Sequence, residues 1–243
     1  MHSKLSKKSN KTFIIAEIGI NHNGSLIIAQ KLIKLAKKFG ADAVKFQSFK
    51  ADRLSLKNTE LTIYQKKNLK RNLSHYEMLK KLELSESNQK KLFKFCNKIR
   101  IEFISTPFDV DSAKFLNRLG VKIFKTASPD LSDVFLHKYL SKLNKIVLIS
   151  TGMSSEDEIK QCINLYKNKN FALLHCVSNY PCSYESLNLN CIKILKKYSS
   201  IVGFSDHTSD DLASIVAVSK GSKIIEKHFT LDQKMHGPDH KFS

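Results

Sequence analysis

Two pairs of polar residues near the end of the sequence have the spacing of side chains that share one face of a β-strand. Ser205 and His207 are two positions apart, as are Glu226 and His228. Side chains alternate across a strand, so each pair projects to a single side. Two histidines on adjacent strands can hold one metal ion, with Glu226 as a direct ligand or as a carboxylate behind the ligands. A lone histidine is more often a hydrogen-bonded core residue, and that alternative stays open for each of them.

Two lysines follow apolar residues and are predicted to face the protein interior. Lys45 ends the segment "AVK" and Lys125 ends the segment "KIFK". A buried ammonium without a counter-charge is costly, so each position requires an anionic partner. An anionic ligand with phosphate and carboxylate groups would satisfy both lysines, and core carboxylates such as Glu17 are the structural alternative. Four hydroxyl side chains are candidates to complete an anion site: Thr106, Ser128, Ser150 and Ser205.

The elements that must position these groups recur along the chain. Eight β-branched or apolar segments are predicted to be strands: 12–19, 42–47, 101–107, 121–128, 145–151, 171–178, 200–208 and 222–231. Between most of them apolar residues recur with helical spacing, most clearly in 25–40, where Gly40 is the stop signal. This alternation predicts a closed (β/α)8 barrel of the TIM type over 12–243, after a basic tail at 1–11.

Nearly every predicted strand begins apolar and ends with residues that can bind a ligand or transfer a proton. These residues are Glu17, Lys45 with Gln47, Ser105 with Thr106, Lys125 with Ser128, Ser150 with Thr151, Ser178 with Asn179, Ser205 with His207, and Glu226 with His228. In a barrel such positions meet at the carboxyl-terminal face, where catalytic groups lie. A single Ser or Thr at a strand end is usually a cap or a turn residue. Recurrence at eight strand ends favours a binding site.

The connection after the second predicted strand is unusually long, running from Phe49 to about Arg100. It contains a polar stretch at 50–72, followed by a predicted helix near 85–99. Loops of this length in compact domains are often functional or contain small elements of their own.

The composition is globular but strongly basic. The 243 residues include 41 Lys and Arg against 22 Asp and Glu, a formal net charge of +19. The lysines are dispersed at spacings that suit the wet side of amphipathic helices, as in 31–40, which favours a solvated surface. Nucleic-acid binding is a distant alternative, because no DNA- or RNA-binding motif accompanies the charge.

The cysteines and the amino-terminal residues indicate the cellular compartment in which we expect the protein. The five cysteines are odd in number and contain no C-x-x-C pair, which favours reduced thiols in the cytoplasm over disulfides or a cysteine zinc site. The apolar run after the basic tail is short and interrupted by Glu17, unlike a secretory signal. No apolar stretch approaches the length needed to span a bilayer.

Several long segments are similar to one enzyme family. They are "FIIAEIGINHNGS", "DAVKFQSFKADRL", "IEFISTPFD", "FKTASPDL", "STGM", "LLHCVSNYP", "VGFSDHT" and "EKHFTLD" followed by "GPDHKFS". In this order, from about residue 12 to 243, they resemble the N-acetylneuraminate (sialic acid) synthase family with its legionaminate and pseudaminate relatives. The resemblance implies a (β/α)8 barrel that condenses phosphoenolpyruvate with an N-acetylated hexosamine. N-acetylmannosamine or its 2,4-diacetamido analogue would then give a nine-carbon α-keto acid and phosphate, and the full-length family implies a homodimer.

The resemblance also implies roles for individual residues. The positions that match the phosphoenolpyruvate site are Lys45, Thr106, Lys125, Ser128, Ser150 and Ser205. His207 and His228 resemble the ligands of a divalent ion, Mn²⁺ before Mg²⁺ or Co²⁺. Glu17, Tyr180 and Asp239 match positions that contact the sugar or assist proton transfer, and Glu17 is the candidate to protonate the aldehyde oxygen. Further substrate-binding candidates are Gln47, Ser178 and Asn179.

The sequence also departs from the family pattern. Ser178 followed by Asn179 stands where many relatives have one Asn, so either residue is a candidate ligand contact. Relatives continue past "GPDHKFS" into a last barrel helix and a small antifreeze-like domain. From this we expect a truncated synthase barrel that lacks both, and fragment, split enzyme and inactive remnant stay open. The alternatives to the synthase are a non-catalytic barrel remnant and a related phosphoenolpyruvate-dependent sugar-phosphate synthase.

Overall fold

Eight parallel strands close into a barrel in the computed structural model, which describes Leu5 and residues 10–69, 73–167 and 170–243. The strands follow chain order around the barrel: β1 (Phe13–Gly19), β2 (Ala43–Ser48), β3 (Glu102–Pro107), β4 (Ile123–Thr126), β5 (Ile146–Ser150), β6 (Phe171–Cys176), β7 (Val202–Asp206) and β8 (Ile224–His228). β8 pairs in parallel with β1 and closes the ring. The predicted (β/α)8 barrel is confirmed: one strand is observed for each predicted segment, and only β2 extends past its segment, by one residue, to Ser48.

Ten α-helices lie in the described ranges: α1 (Leu26–Lys38), α2 (Ala51–Leu54), α3 (Ile63–Leu69), α4 (His75–Leu82), α5 (Glu86–Ile99), α6 (Val110–Leu119), α7 (Val134–Leu140), α8 (Glu156–Ile163), α9 (Cys191–Leu195) and α10 (Leu212–Ser219). Short 3₁₀ turns cover Ser128–Ser132, Tyr184–Ser186 and His240–Phe242. The helix predicted near 85–99 is α5. Each helix in these ranges is too short or too polar to traverse a lipid bilayer.

Helix α1 shows how the sequence pattern sets the outer layer. The hydroxyl of Ser25 accepts a hydrogen bond from the backbone N–H of Ile28 at 3.3 Å and so caps the first turn. Its inner face buries four apolar residues, Ala29, Leu32, Ile33 and Ala36, whereas the lysines of this helix are exposed. The helix stops before Gly40, whose φ of +87° is a backbone conformation that glycine adopts without strain.

Between β2 and α5 the chain forms three short helices, α2, α3 and α4, which together we call the cap. Apolar side chains of the cap pack into one buried cluster with Ile20 and Phe49. Lys50 Nζ and Glu83 Oε1 are 2.7 Å apart, which ties the start of the cap to its end. The long polar connection therefore has small elements of its own.

Helix α10 differs from the other helices in its surface. Its sequence, LASIVAVS, contains no charged residue, and the exposed fractions of Leu212, Ile215 and Val218 are 53%, 60% and 39%. These three residues recur every third position and form one apolar stripe on the outside of the barrel.

Candidate active site

The barrel interior changes from apolar to polar within two residues on every strand. One layer, which we call the floor, consists of Ile15, Ala43, Ile104, Ile123, Leu148, Leu174, Gly203 and Ile224. Two residues later the same eight strands place Glu17, Lys45, Thr106, Lys125, Ser150, Cys176, Ser205 and Glu226 around a cavity of about 280 Å³. We call this second layer the mouth, because it lies at the carboxyl ends of the strands, where (β/α)8 enzymes have their active sites.

The two predicted lysines both lie in the mouth and are almost completely buried. Lys45 Nζ is 2.9 Å from Glu17 Oε1 and donates to Thr106 Oγ1 at 3.1 Å. Lys125 Nζ donates to the hydroxyl of Ser150 and, at 3.1 Å, to the backbone carbonyl of Thr126. The pairing of Lys45 with Glu17 is the carboxylate alternative that the sequence left open, and for Lys125 the carboxylate within ion-pair distance is Glu226, at 3.8 Å.

Glu226 lies between the two ammonium groups. Its Oε1 is 4.0 Å from Lys45 Nζ and 3.8 Å from Lys125 Nζ, and it accepts a hydrogen bond from Ser205 Oγ at 2.9 Å. Its Oε2 is buried and finds no hydrogen-bond partner within the described ranges. From the sequence Glu226 was a candidate carboxylate beside the metal, which stays a prediction, and the structure adds a contact that was not predicted, in which Glu226 links the two lysines.

The two carboxylates of the mouth differ in their protonation. Burial raises the pKa of Glu17 to about 7, since the opposing attraction of Lys45 does not fully compensate for lost hydration. Burial alone would also raise the pKa of Glu226, but the charges of Lys125 and Lys45 outweigh it and hold that pKa below its usual value. Burial lowers the pKa of Lys125, with Glu226 opposing the effect. Glu17 is therefore the group of the mouth suited to carry and release a proton near neutral pH.

The two predicted metal ligands lie beside each other, with ring centroids 5.7 Å apart. His207 Nδ1 is 2.7 Å from the carbonyl oxygen of Val177, which can only accept a hydrogen bond. Nδ1 therefore bears the proton in the neutral ring, and the lone pair is on Nε2, 3.4 Å from Ser205 Oγ. His228 Nδ1 is buried and has no partner among the residues described.

Both imidazoles are suited to bind a metal because both are neutral. Burial lowers the pKa of His207 to about 4 and depresses that of His228 well below its ordinary value. Within the described part of the chain, no three or more His, Cys, Asp or Glu side chains converge as a ligand set. The residues present therefore fit a divalent ion that takes two nitrogen ligands from the protein and the rest from elsewhere.

Close packing around Gly152 separates the two candidates Ser178 and Asn179. A Cβ at position 152 would come within 2.7 Å of Ser128 Oγ and 2.9 Å of Ser178 Oγ, so only glycine leaves room for both hydroxyls. Ser128 Oγ in turn lies 2.9 Å from Cys176 Sγ, on the cavity wall. Asn179 is exposed, and its side-chain oxygen accepts from the backbone N–H of Tyr180 at 3.1 Å. Neither Ser178 nor Asn179 lines the cavity, but Ser178 packs with Gly152 behind Ser128, whereas the side chain of Asn179 is turned to its own backbone.

The remaining predicted residues also line the cavity: Gln47, Tyr180 and Asp239. The ring of Tyr180 lies 4.2 Å from that of His207, centroid to centroid. Asp239 is buried, and its Oδ1 has no partner in the described residues. Burial, with the nearby charge of Glu17, raises the pKa of Asp239 to about 7.

Sequence reasoning missed the contribution of the cap. Six cap residues line the same cavity: Leu54, Tyr64, Gln65, His75, Met78 and Leu79. The length of the connection was the only signal, and it did not indicate which side chains would turn toward the barrel. The cap side of the cavity is mostly apolar and neutral, in contrast to the charged mouth.

Comparisons with known proteins point to one family. The profile described as the NeuB family matches residues 32–243. The chain is 44% identical over 239 residues to an N,N'-diacetyllegionaminic acid synthase of Campylobacter jejuni, covering 96% of this chain and 72% of the relative. It is 35% identical to the human N-acetylneuraminate-9-phosphate synthase, covering 95% of this chain and 65% of that protein. Overall the chain spans about 65–72% of the length of such relatives.

Solved structures agree with this assignment. An N-acetylneuraminic acid synthetase from Leptospira borgpetersenii, crystallised with citrate, superposes with a TM-score of 0.85 at 34% identity and covers 96% of this chain and 78% of that one. A truncated 3-deoxy-D-arabino-heptulosonate 7-phosphate synthase from Thermotoga maritima has a TM-score of 0.69 at 14% identity and covers 96% of this chain and 81% of that one, a likeness of fold alone.

Proposed function

Since this chain belongs to the NeuB family, we propose that it condenses phosphoenolpyruvate with an N-acetylated hexosamine, forming a nine-carbon α-keto acid and releasing phosphate. N-acetylmannosamine and its 2,4-diacetamido analogue are the proposed acceptors. A reducing, cytoplasmic setting and a homodimer are part of the same proposal, and the five free thiols are compatible with the first.

The observation that carries this proposal is the pair of buried lysines in the mouth. Phosphoenolpyruvate has a phosphate and a carboxylate on adjacent positions of a three-carbon skeleton. Lys45 on β2 and Lys125 on β4 supply two cations, separated by the one strand β3. Among the residues that the structure describes, Glu226 alone lies within ion-pair distance of both. Hydroxyls beside them, on Thr106 and Ser150, can donate to the same oxygens. Such fixed charges in a site shielded from water stabilise an anionic transition state without reorganisation.

The reaction balances as follows. The methylene carbon of phosphoenolpyruvate forms a bond to the aldehyde carbon of the open-chain sugar, and the aldehyde oxygen gains a proton. Water adds at the carbon that bears the phosphate, and the C–O bond to phosphate breaks to leave the keto acid. We assign the proton donation to Glu17, whose Oε2 is unpaired within the part of the chain described. Asp239, which is buried near Glu17 and lines the same cavity, is the candidate to assist.

We propose that His207 and His228 hold a divalent ion, Mn²⁺ before Mg²⁺ or Co²⁺. When bound, such an ion supplies Lewis-acid polarisation of the sugar carbonyl. Ser205 bridges this part of the site to the anion site, because its hydroxyl contacts both Glu226 Oε1 and His207 Nε2.

The proposal is tested by phosphate release from phosphoenolpyruvate with Mn²⁺ and each acceptor in turn. Lys125→Met should lower kcat/KM by about 10³-fold, because it removes one fixed cation from the anion site. The matched control is Lys122→Met, three residues earlier and exposed, which should leave kcat/KM unchanged. If the folded wild-type chain releases phosphate with neither acceptor, the proposed activity is wrong for this chain.

A further inference from the structure

The two candidate metal ligands are held in different ways. The ring of His207 is oriented by its hydrogen bond to the carbonyl oxygen of Val177 at 2.7 Å. A metal-binding histidine usually has a partner of this kind on its second nitrogen, which fixes the direction of the ring. The Nδ1 of His228 has no hydrogen-bond partner in the described ranges. Something other than a hydrogen bond must set the orientation of that ring.

Aromatic packing provides the missing constraint. The ring of Phe242 meets that of His228 edge to face, with centroids 4.9 Å apart and planes at 74°. The ring of Tyr180 packs near both, with its centroid 6.0 Å from that of His228 and 5.1 Å from that of Phe242. Tyr64 of the cap contacts both of these aromatic rings, at 5.5 Å from Tyr180 and 5.9 Å from Phe242. Phe242 is only 2% exposed, so its ring has little freedom to leave this position.

Phe242 is in turn fixed by the segment that contains it. Ser243 Oγ accepts from Asn21 Nδ2 at 2.8 Å and donates to the carbonyl of Asp239 at 2.6 Å. The buried His240 forms a 2.6 Å hydrogen bond between its Nδ1 and Thr230 Oγ1. These contacts join residues 239–243 to the loop after β1 and to the start of the segment that follows β8.

We propose that Phe242 is a positioning residue for His228, and that its ring contact does for this imidazole what the Val177 carbonyl does for His207. The inference rests on the proposed role of the two histidines as metal ligands. Phe242 does not line the cavity, so it acts through His228 and not on substrate. The residue thereby gives the last turn of the described chain a part in assembling the metal site.

The test is a titration of metal-free protein with Mn²⁺ in the absence of substrate. The electron paramagnetic resonance signal of the free ion gives the concentration of unbound Mn²⁺ at each point. Phe242→Ala should weaken Mn²⁺ binding about 10-fold, a loss typical when a group that orients a ligand is removed. Phe242→Leu keeps most of the volume without the ring edge, and should give a smaller loss in a protein that still folds. His228→Ala sets the scale for complete loss of the ligand, and Phe39→Ala, at a ring that is 72% exposed, should have no effect.

Two further measurements separate positioning from general damage. The dissociation constant for phosphoenolpyruvate should be unchanged in Phe242→Leu, and the visible spectrum of bound Co²⁺ should change. Equal Mn²⁺ affinity in the wild type and both folded Phe242 variants would overturn the positioning role of Phe242 and leave the metal assignment intact. Parallel weakening of Mn²⁺ and phosphoenolpyruvate binding would overturn it too, since it indicates a merely structural residue. A folded wild-type chain that binds no Mn²⁺ would overturn the metal assignment, and the inference with it.

Discussion

The floor and the mouth of the barrel are made by the same eight strands, yet they have opposite chemistry. β2 contributes Ala43 to the floor and Lys45 to the mouth, and β8 contributes Ile224 and Glu226. The two layers are separated by one period of side-chain alternation, about 7 Å along the strand. The floor is a buried apolar layer, whereas the mouth holds two lysines and two carboxylates in nearly complete burial.

On each strand the floor residue therefore serves the stability of the fold, and the mouth residue two positions later serves the function of the site. Burial of apolar side chains in the floor stabilises the fold, and the cost of a change there depends on the volume that it leaves empty. Burial of charges in the mouth does not stabilise in the same way, because each ion loses hydration that its partners only partly restore. We therefore expect substitutions in the mouth to affect activity and substitutions in the floor to affect stability.

The largest expected effect is on activity, at the mouth. Lys45→Met should lower kcat/KM for phosphate release by about 10³-fold, because it removes the cation that contacts Thr106 and Glu17. The free energy of unfolding should change much less, since Glu17 can take up a proton when its partner is lost. Steady-state kinetics and thermal unfolding measure the two effects. Lys31→Met, on the wet face of α1, is the control, and undiminished kcat/KM in Lys45→Met would refute the division of roles.

The next effect is on stability, at the floor. Ile104→Ala should lower the free energy of unfolding by about 3 kcal/mol, because it empties a fully buried site. Urea unfolding measures the loss, and Ile104→Val should cost only about 1 kcal/mol. Below the unfolding transition, kcat/KM should stay within a few-fold of the wild type. A loss of activity as large as that of Lys45→Met would show that the two layers are not separate.

The smallest effect links the two layers through pH. The pKa of Glu17 is raised from 4.5 to about 7, so between these values the folded state binds more protons than the unfolded state. The contribution of Glu17 to stability is thus fully present below pH 4.5 and is lost as the pH rises through 7. Glu17→Gln removes this dependence and should be more stable than the wild type by on the order of 2 kcal/mol at pH 8.

The control for this prediction is the same pair of proteins at pH 4.5, where Glu17 is largely protonated in the folded state and the difference should shrink. Asp239 also titrates near pH 7, and its pKa should fall in Glu17→Gln because the nearby charge of Glu17 is removed, which adds to the advantage of the variant at high pH. Unfolding midpoints across this pH range provide the measurement. A wild-type chain that gains stability over Glu17→Gln as the pH rises would contradict the direction of the pKa shift.

The division into floor and mouth could largely be predicted from the sequence. An apolar residue followed two positions later by a polar one is a local pattern, and the barrel geometry aligns it across strands, as with Ile123 and Lys125. The link that Glu226 makes to both lysines was not predicted. It depends on barrel closure, which brings three strands distant in sequence to the same axis.

The contribution of the cap to the cavity and the contact of Phe242 with His228 could not be predicted from the sequence. Met78 and Leu79 have the spacing of ordinary core residues of a helix, and nothing local indicates that they border a cavity. Phe242 lies in a short 3₁₀ turn without periodicity, and its contact with His228 depends on how residues 229–243 fold back over the barrel. Apolar residues that recur every second position predict strands, and those that recur every three to four positions predict helices. Contacts between these elements depend on tertiary packing and have no such pattern.

The uncharged stripe of α10 has a consequence for how copies of the molecule behave together in solution. With a net charge of +19, long-range repulsion keeps the molecules apart at low ionic strength. At 1 M salt the range of that repulsion shrinks to about 3 Å. Among the described helices, α10 has a sequence without charged residues, so two molecules can then approach each other through its exposed Leu212, Ile215 and Val218. Colloidal stability should therefore fall with added salt, and Ile215→Lys should raise the salt concentration at which the protein precipitates.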